Sequence, residues 1–197
     1  MSNPRNIFAK ISAAVAITLA IGTAVVAKTH SDPAFSNIHI RNFGKVDDRF
    51  YRGAQPDESD YKDLKALGIK TVIDLQDHPT SYEKRDVETL GMRYVNIPMS
   101  DSSYPKQESV DAFLKLVNDH ATGTMFVHCA GGRHRTGVMG AVYRYNVNHW
   151  NFDQAYTEMK DYDFYTRFGH GDLKTFVEDY AQKMQTNAAG AATSTKQ

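Results

Sequence analysis

Residues 128–137 read His128-Cys129-Ala130-Gly131-Gly132-Arg133-His134-Arg135-Thr136-Gly137 and hold the one cysteine of a 197-residue chain. An arginine six positions after a cysteine, with two glycines between and a threonine following, suits a thiolate nucleophile lying in a phosphate cradle. A short glycine-bearing turn between a buried strand and a helix aims successive backbone N–H groups into one concavity. That nest binds an anion, and the helix adds the positive end of its dipole. Cys129 stands at the start of the turn, where amides and a guanidinium draw a thiol toward the reactive thiolate. Arg135 returns over the concavity, where its planar fork grips two phosphate oxygens. Ala130, Gly131, Gly132, Arg133, His134 and Arg135 form the expected phosphate-binding set, with Gly131 and Gly132 supplying positive φ and close backbone approach. A lone cysteine is usually a small buried hydrophobe, but Ala-Gly-Gly-Arg-His-Arg-Thr is poor core material. The loop is not a nucleoside-triphosphate cradle, since no Gly-x4-Gly-Lys-Ser/Thr occurs.

Hydrolysis through such a thiolate needs a general acid from another loop. Asp101 follows the apolar strand pattern Met92–Ile97 and the turn Pro98-Met99-Ser100, and precedes a helix beginning near Pro105. That places it at the strand end beside Cys129, with Asp74 and Asp77 as alternatives. An aspartate in a Ser-Asp-Ser-Ser turn is also a common structural feature. His128 is expected to fix the loop from beneath. Thr136 is expected to offer its hydroxyl to the sulfur, to cap the following helix, or both. The eight histidines form no His-x-His or His-x-x-x-His pair. No metal and no cofactor is expected, because arginine and amides supply the charge stabilisation themselves.

The surrounding pattern alternates. Asp57–Leu67, Ser81–Leu90 and Pro105–His120 read as helices. The last carries Val110, Phe113, Leu114 and Val117 at i, i+3, i+4 and i+7. Ile69–Leu75, Met92–Ile97 and the run Met125-Phe126-Val127 read as strands. Thr136–Val147, Asn151–Met159 and Asp172–Met184 read as further helices. Strands alternating with helices predict an α/β fold, a largely parallel central sheet flanked by helices in three layers. The cysteine turn then sits at the carboxyl edge, where open α/β sheets take ligands.

On these residues the chain resembles the cysteine-dependent protein tyrosine and dual-specificity phosphatases, whose active-site pattern is His-Cys-x-x-Gly-x-x-Arg-Thr. Gly132–Gly137 is most similar to the atypical dual-specificity phosphatases of plants and fungi and their bacterial relatives. Phe50-Tyr51-Arg52-Gly53-Ala54-Gln55-Pro56 resembles their early Tyr-Arg segment, and Gly68–Leu75 their first long strand. The resemblance spans about residues 45–147 and implies the tyrosine phosphatase fold. It also implies a cysteinyl-phosphate intermediate on Cys129, and an acid on the loop Asp101 occupies. The eukaryotic members often carry basic residues just after the cysteine, where this chain has Ala130 and Gly131. Protein phosphoesters are therefore the first expected substrates, with an inositol polyphosphate or other small phosphate ester as the alternative. A sulfurtransferase also uses a loop cysteine, but Arg135-Thr136 and Asp101 argue against it. A phosphate-binding module without activity is a third class, disfavoured because Cys129, Arg135 and Asp101 are all present.

Arg5 and Lys10 precede Ile11–Ala27, a stretch without charge that ends in Val25-Val26-Ala27. This reads as a signal peptide over 1–27, followed by a linker over 28–36, a phosphatase domain over 37–184 and a flexible tail over 185–197. A periplasmic or secreted protein is expected, with no stable membrane span after cleavage. An inner-membrane anchor facing the periplasm is the alternative. Loss of Arg5 and Lys10 leaves 21 basic against 23 acidic side chains. With no polybasic run, nucleic acid is not an expected partner. A single cysteine forbids an intramolecular disulfide, so an oxidising compartment has no second thiol in this chain to trap the nucleophile.

Overall fold

The computed structural model describes residues 35–194, and side chains through 187. The expected signal peptide, 1–27, lies outside the described residues, as does nearly all of the expected linker. Within the rest, five strands form one sheet: β1 (Gly44–Lys45), β2 (Phe50–Ala54), β3 (Thr71–Gln76), β4 (Arg93–Met99) and β5 (Met125–Cys129), in spatial order β1-β2-β5-β3-β4. β1 pairs antiparallel with β2; every other pairing is parallel. The α/β class, the layers and the largely parallel sheet are those expected from the alternation. β5 is central and takes β2 and β3 on its two sides. β4 is an edge strand, which is why it tolerates Pro98, whose nitrogen cannot donate to a ladder.

Strand side chains alternate between two faces. Tyr51, Val72 and Phe126 pack on one side with Tyr61, Leu64 and Val87 of helices α1 (Asp60–Ala66) and α2 (Glu83–Thr89). Phe50, Ile73, Met125 and Val127 pack on the other against α3 (Gln107–Asn118), α4 (His134–Val147), α5 (Phe152–Asp161) and α6 (Gly171–Ser194). α4 is covered on all sides from His134 to Tyr145, as expected of a central helix.

Differences from the sequence reading have local causes. α1 begins at Asp60 rather than Asp57, because the Asp60 carboxylate accepts from the Asp57 N–H at 2.8 Å and closes a turn there. The β1–β2 hairpin was not read from sequence. β2 is buried on both faces, so its FYRGA shows no alternation. α6 continues past Met184 to Ser194, where a flexible tail is expected. Ala188, Ala189, Ala191 and Ala192 favour that continuation, against the cost of Gly190. Among the described residues no helix is long and apolar enough to cross a membrane.

Candidate active site

Cys129 is the last residue of β5, in register with Ala54 at the end of β2. The chain then turns through 130–133 into α4. Three outward anchors set the turn. The Gln55 N–H donates to the Ala130 carbonyl at 3.4 Å. The Asn42 side-chain amide donates to the Gly131 carbonyl at 2.8 Å, and Arg52 Nη2 to the Gly132 carbonyl at 2.7 Å. A planar trans peptide directs its N–H opposite to its C=O. Tying these three carbonyls outward therefore turns the following amides, those of Gly131, Gly132 and Arg133, into the concavity. The N-terminus of the 14-residue α4 opens onto the same space.

Glycine is required at one position of the turn. Gly132 has φ +66, and a Cβ there would lie 2.5 Å from the Gly53 carbonyl carbon. Gly131 does not share the expected positive φ, and a Cβ on it would meet nothing nearer than the Arg133 side chain at 3.8 Å. The turn needs only one left-handed residue, the one that presses against β2.

Cys129 is buried, with 3% exposure. Burial alone would raise its thiol pKa, but the Thr136 hydroxyl, the Arg135 charge and the N–H groups of Thr136 and Gly131 outweigh it and bring the pKa below its ordinary value. The buried Thr136 hydroxyl has no other partner among the described residues. Thr136 does not cap α4, because the helix starts two residues earlier and Arg133 holds the cap position. Arg135 Nη1 donates to Asp77 Oδ1 and to the Met99 carbonyl, each at 3.2 Å, while its buried Nε has no partner among the described residues. The guanidinium is thus held at one edge with a donor still to satisfy.

Cys129, Arg135, Ala130, Gly131, Arg133, His134 and Asp101 line one concavity of about 180 Å³, joined by Tyr165 and His170. Asp101 is exposed, in a turn where Ser100 Oγ accepts from the N–H groups of Ser102 and Ser103 at 3.3 and 3.1 Å. The two other aspartates do not fit the role. Asp74 is fully buried beneath the loop, accepting from the Gln76 N–H and Tyr94 hydroxyl. Asp77 is exposed, and a desolvation effect is outweighed by its own backbone N–H and Arg135, which hold its pKa below the carboxylate norm. A group so disposed to stay ionised is a poor proton donor.

His128 lies under the loop, as expected, with its Nε2 2.8 Å from Glu83 Oε1 and no exposure. His134 is buried at the start of α4, its Nε2–H donates to the Tyr165 carbonyl at 3.2 Å, and its ring stacks on His170 at 3.6 Å. Arg133 is half-exposed, 3.7 Å from Asp163. The Arg52 guanidinium lies 3.8 Å over the Tyr162 ring while holding the Gly132 carbonyl. The contacts that Asn42, Gln55 and Glu83 make with the loop are not legible in the sequence. Their link to the loop runs through long-range backbone carbonyls and a neighbouring strand, which local spacing does not encode.

The family model described as "DSP-PTPase phosphatase fused to NAD+ Kinase" matches residues 30–178. The probable tyrosine-protein phosphatase DG1060 of Dictyostelium discoideum is 28% identical over 151 residues, covering 74% of this chain and 87% of that protein. The dual specificity protein phosphatase TpbA of Pseudomonas aeruginosa strain UCBPP-PA14 is 29% identical over 135 residues, 66% of this chain and 56% of its own length. The core catalytic domain of the PP-IP phosphatase SIW14 from S. cerevisiae shares the fold, with a TM-score of 0.64 at 20% identity over 78% of this chain and 94% of that one.

Proposed function

The chain belongs to the DSP-PTPase phosphatase family, and from that premise we propose that Cys129, Arg135 and Asp101 carry out its phosphatase chemistry through a cysteinyl-phosphate. The carrying observation is that a buried thiol, inward-turned amides, an arginine with an unsatisfied donor and an exposed aspartate share one small concavity. Phosphate oxygens sit on the amides of the turn and on Arg135. Cys129 Sγ attacks phosphorus in line with the ester oxygen, the P–O bond breaks, and Asp101 gives its proton to the leaving oxygen. Asp101, now a carboxylate, takes a proton from water as the water attacks phosphorus. Inorganic phosphate leaves and the thiolate returns. Nothing in these steps calls for a metal.

Protein phosphoesters, phosphotyrosine first, are the substrates this rim supports best. Its walls are Tyr165 and two histidines, and its cations are few. Arg133 lies near Asp163 and Arg135 is engaged by Asp77. A highly phosphorylated inositol would want several uncommitted cations, so it is the second reading.

The test is Cys129→Ser. Turnover of phosphotyrosine peptide should vanish while tungstate still binds, because the amides and Arg135 remain. Retention of more than about a tenth of the wild-type kcat, an effect of about 1.4 kcal/mol, would rule Cys129 out as the nucleophile. A panel of phosphotyrosine, phosphoserine and phytate at matched concentration ranks the substrates.

Export is a further part of the proposal, supported by the Arg5 and Lys10 flank, the uncharged stretch Ile11–Ala27 and its small-residue end. The mature protein should be recovered from the periplasm beginning near Lys28 by mass spectrometry. Full-length chain in the membrane fraction would favour the anchor, and recovery from the cytoplasm would refute export.

A further inference from the structure

Directly below the cysteine turn, on the side away from the substrate concavity, lie three fully buried titratable groups: Asp74 from β3, Glu83 from α2 and His128 from β5. Their ligand atoms lie within 4.8 Å of one another, a spacing that could suggest a metal. The contacts point elsewhere. Glu83 Oε1 meets His128 Nε2 at 2.8 Å, an ion-pair contact rather than a well-aimed hydrogen bond. Glu83 Oε2 accepts from Gln55 Nε2 at 3.2 Å. Gln55 in turn gives its backbone N–H to the Ala130 carbonyl and accepts from Gln76 Nε2, and the Gln76 N–H goes to Asp74. One carboxylate therefore touches both the residue before the nucleophile and the residue that anchors the carbonyl after it.

We propose that Glu83 is a positioning residue of the active site, fixing Cys129 from both sides by pairing with His128 and by orienting Gln55 against the Ala130 carbonyl. The proposal rests on the reading of Cys129 as the nucleophile. A buried ion pair is a costly way to fill a core, since well-packed apolar residues of similar volume are often neutral or stabilising there. This one stands at the shoulder of the thiolate, where its arrangement has consequences. The groups facing His128 are Glu83, Asp74 at 4.0 Å, and Cys129 beside it in β5. Tyr94 and Tyr61 approach through Asp74 and Gln55. Burial lowers the His128 pKa, but Glu83 and Asp74 more than compensate and lift it above the ordinary imidazole value. A cationic His128 next to Cys129 favours the thiolate. Without Glu83, burial returns His128 to the neutral form and the thiolate loses that neighbour.

The experiment compares the pH profile of Cys129 alkylation by iodoacetamide in the full chain with Glu83→Gln, which keeps the shape and the contact to Gln55. The alkylation midpoint should move up by about one pH unit, which is about tenfold slower alkylation well below the midpoint. kcat at acidic pH should fall in parallel. An unchanged midpoint alongside a lowered melting temperature would make Glu83 a strut of the fold and overturn the proposal. Gln55→Ala, with Gln55 only partly buried, tests the other branch. It should weaken tungstate binding several-fold and move the alkylation midpoint less than Glu83→Gln does; if tungstate binding is unchanged, that branch fails even should Glu83→Gln not fold. Wild-type protein supplies the control. If tungstate does not protect its Cys129 from alkylation, or alkylation leaves turnover intact, the phosphatase mechanism has failed and not the role of Glu83.

Discussion

The cysteine turn and the aspartate turn face each other across one concavity, and they are held in opposite ways. In the cysteine turn Cys129, Gly132 and Arg135 are buried. Its carbonyls are tied to Asn42, Arg52 and Gln55, and its base rests on His128 and Glu83. The aspartate turn is exposed, closed by its own serines, and reaches the rest of the protein through His170, whose Nδ1–H donates to the Asp101 carbonyl at 2.7 Å. The difference follows the chemistry. Amides and a thiolate stabilise charge only when fixed and dry. An acid that must be reprotonated each cycle needs water and tolerates looser anchoring.

That contrast can be broken most sharply at Asp101. Asp101→Asn should cost roughly 10²–10⁴ in kcat for an alkyl or tyrosyl phosphate, and far less for an aryl phosphate whose leaving group needs no proton. Its melting temperature should stay at the wild-type value, since the side chain is exposed. Equal losses on both substrates would mean that the acid lies elsewhere.

On the buried side, Gly132→Ala should lower kcat by roughly 10²-fold, the cost of a displacement near 1 Å at a reacting centre. It should also destabilise the fold by about 1–2 kcal/mol from the left-handed backbone alone. Gly131→Ala should stay within about 0.5 kcal/mol of wild type. Thermal melts with steady-state kinetics on the pair decide it. Equal behaviour of the two variants would remove the claim that contact with β2 shapes the turn.

How much of this was legible beforehand follows the same division. His128, Cys129, Arg135, Thr136 and the glycines lie within ten residues, and a strand–turn–helix pattern brackets them, so spacing alone assembled the loop. Asp101 comes to the same concavity because the ends of parallel strands share one edge of the sheet. A buried arginine suggests a carboxylate partner, whereas here Arg52 Nη2 goes to a carbonyl, the guanidinium lies over an aromatic ring, and Nε has no hydrogen-bond partner among the described residues. Asn42 and Glu83 were out of reach, because each acts through a contact made only when β2, β3 and β5 are side by side. The same holds for the β1–β2 hairpin, since a strand buried on both faces carries no alternation to read.

A smaller effect is expected where the aspartate turn is anchored. His170→Ala removes one hydrogen bond to the Asp101 carbonyl, worth about 1 kcal/mol. A fall in kcat of about fivefold, confined to substrates with poor leaving groups, is the expected result. A matching loss with a good leaving group would mean that His170 supports the phosphate cradle as well, and the two turns would be less separable than their contacts indicate.

The last effect is read in stability against pH rather than in rate, and it tests the same anchor. His170 stacks on His134, and burial together with His170 itself pushes the His134 pKa down to about 4. The unfolded chain keeps an ordinary imidazole near 6.5. Between those values the unfolded state binds a proton that the folded state refuses, so this group makes stability fall as pH drops from about 6.5 toward 4, with no further loss below. His134→Gln should flatten that part of the melting temperature profile relative to wild type. The comparison between the two proteins matters because His128 and Asp74, whose pKa values are both raised, titrate in each. Parallel profiles would mean that His134 takes up its proton freely, and that the histidine stack under the aspartate turn is no barrier to charge.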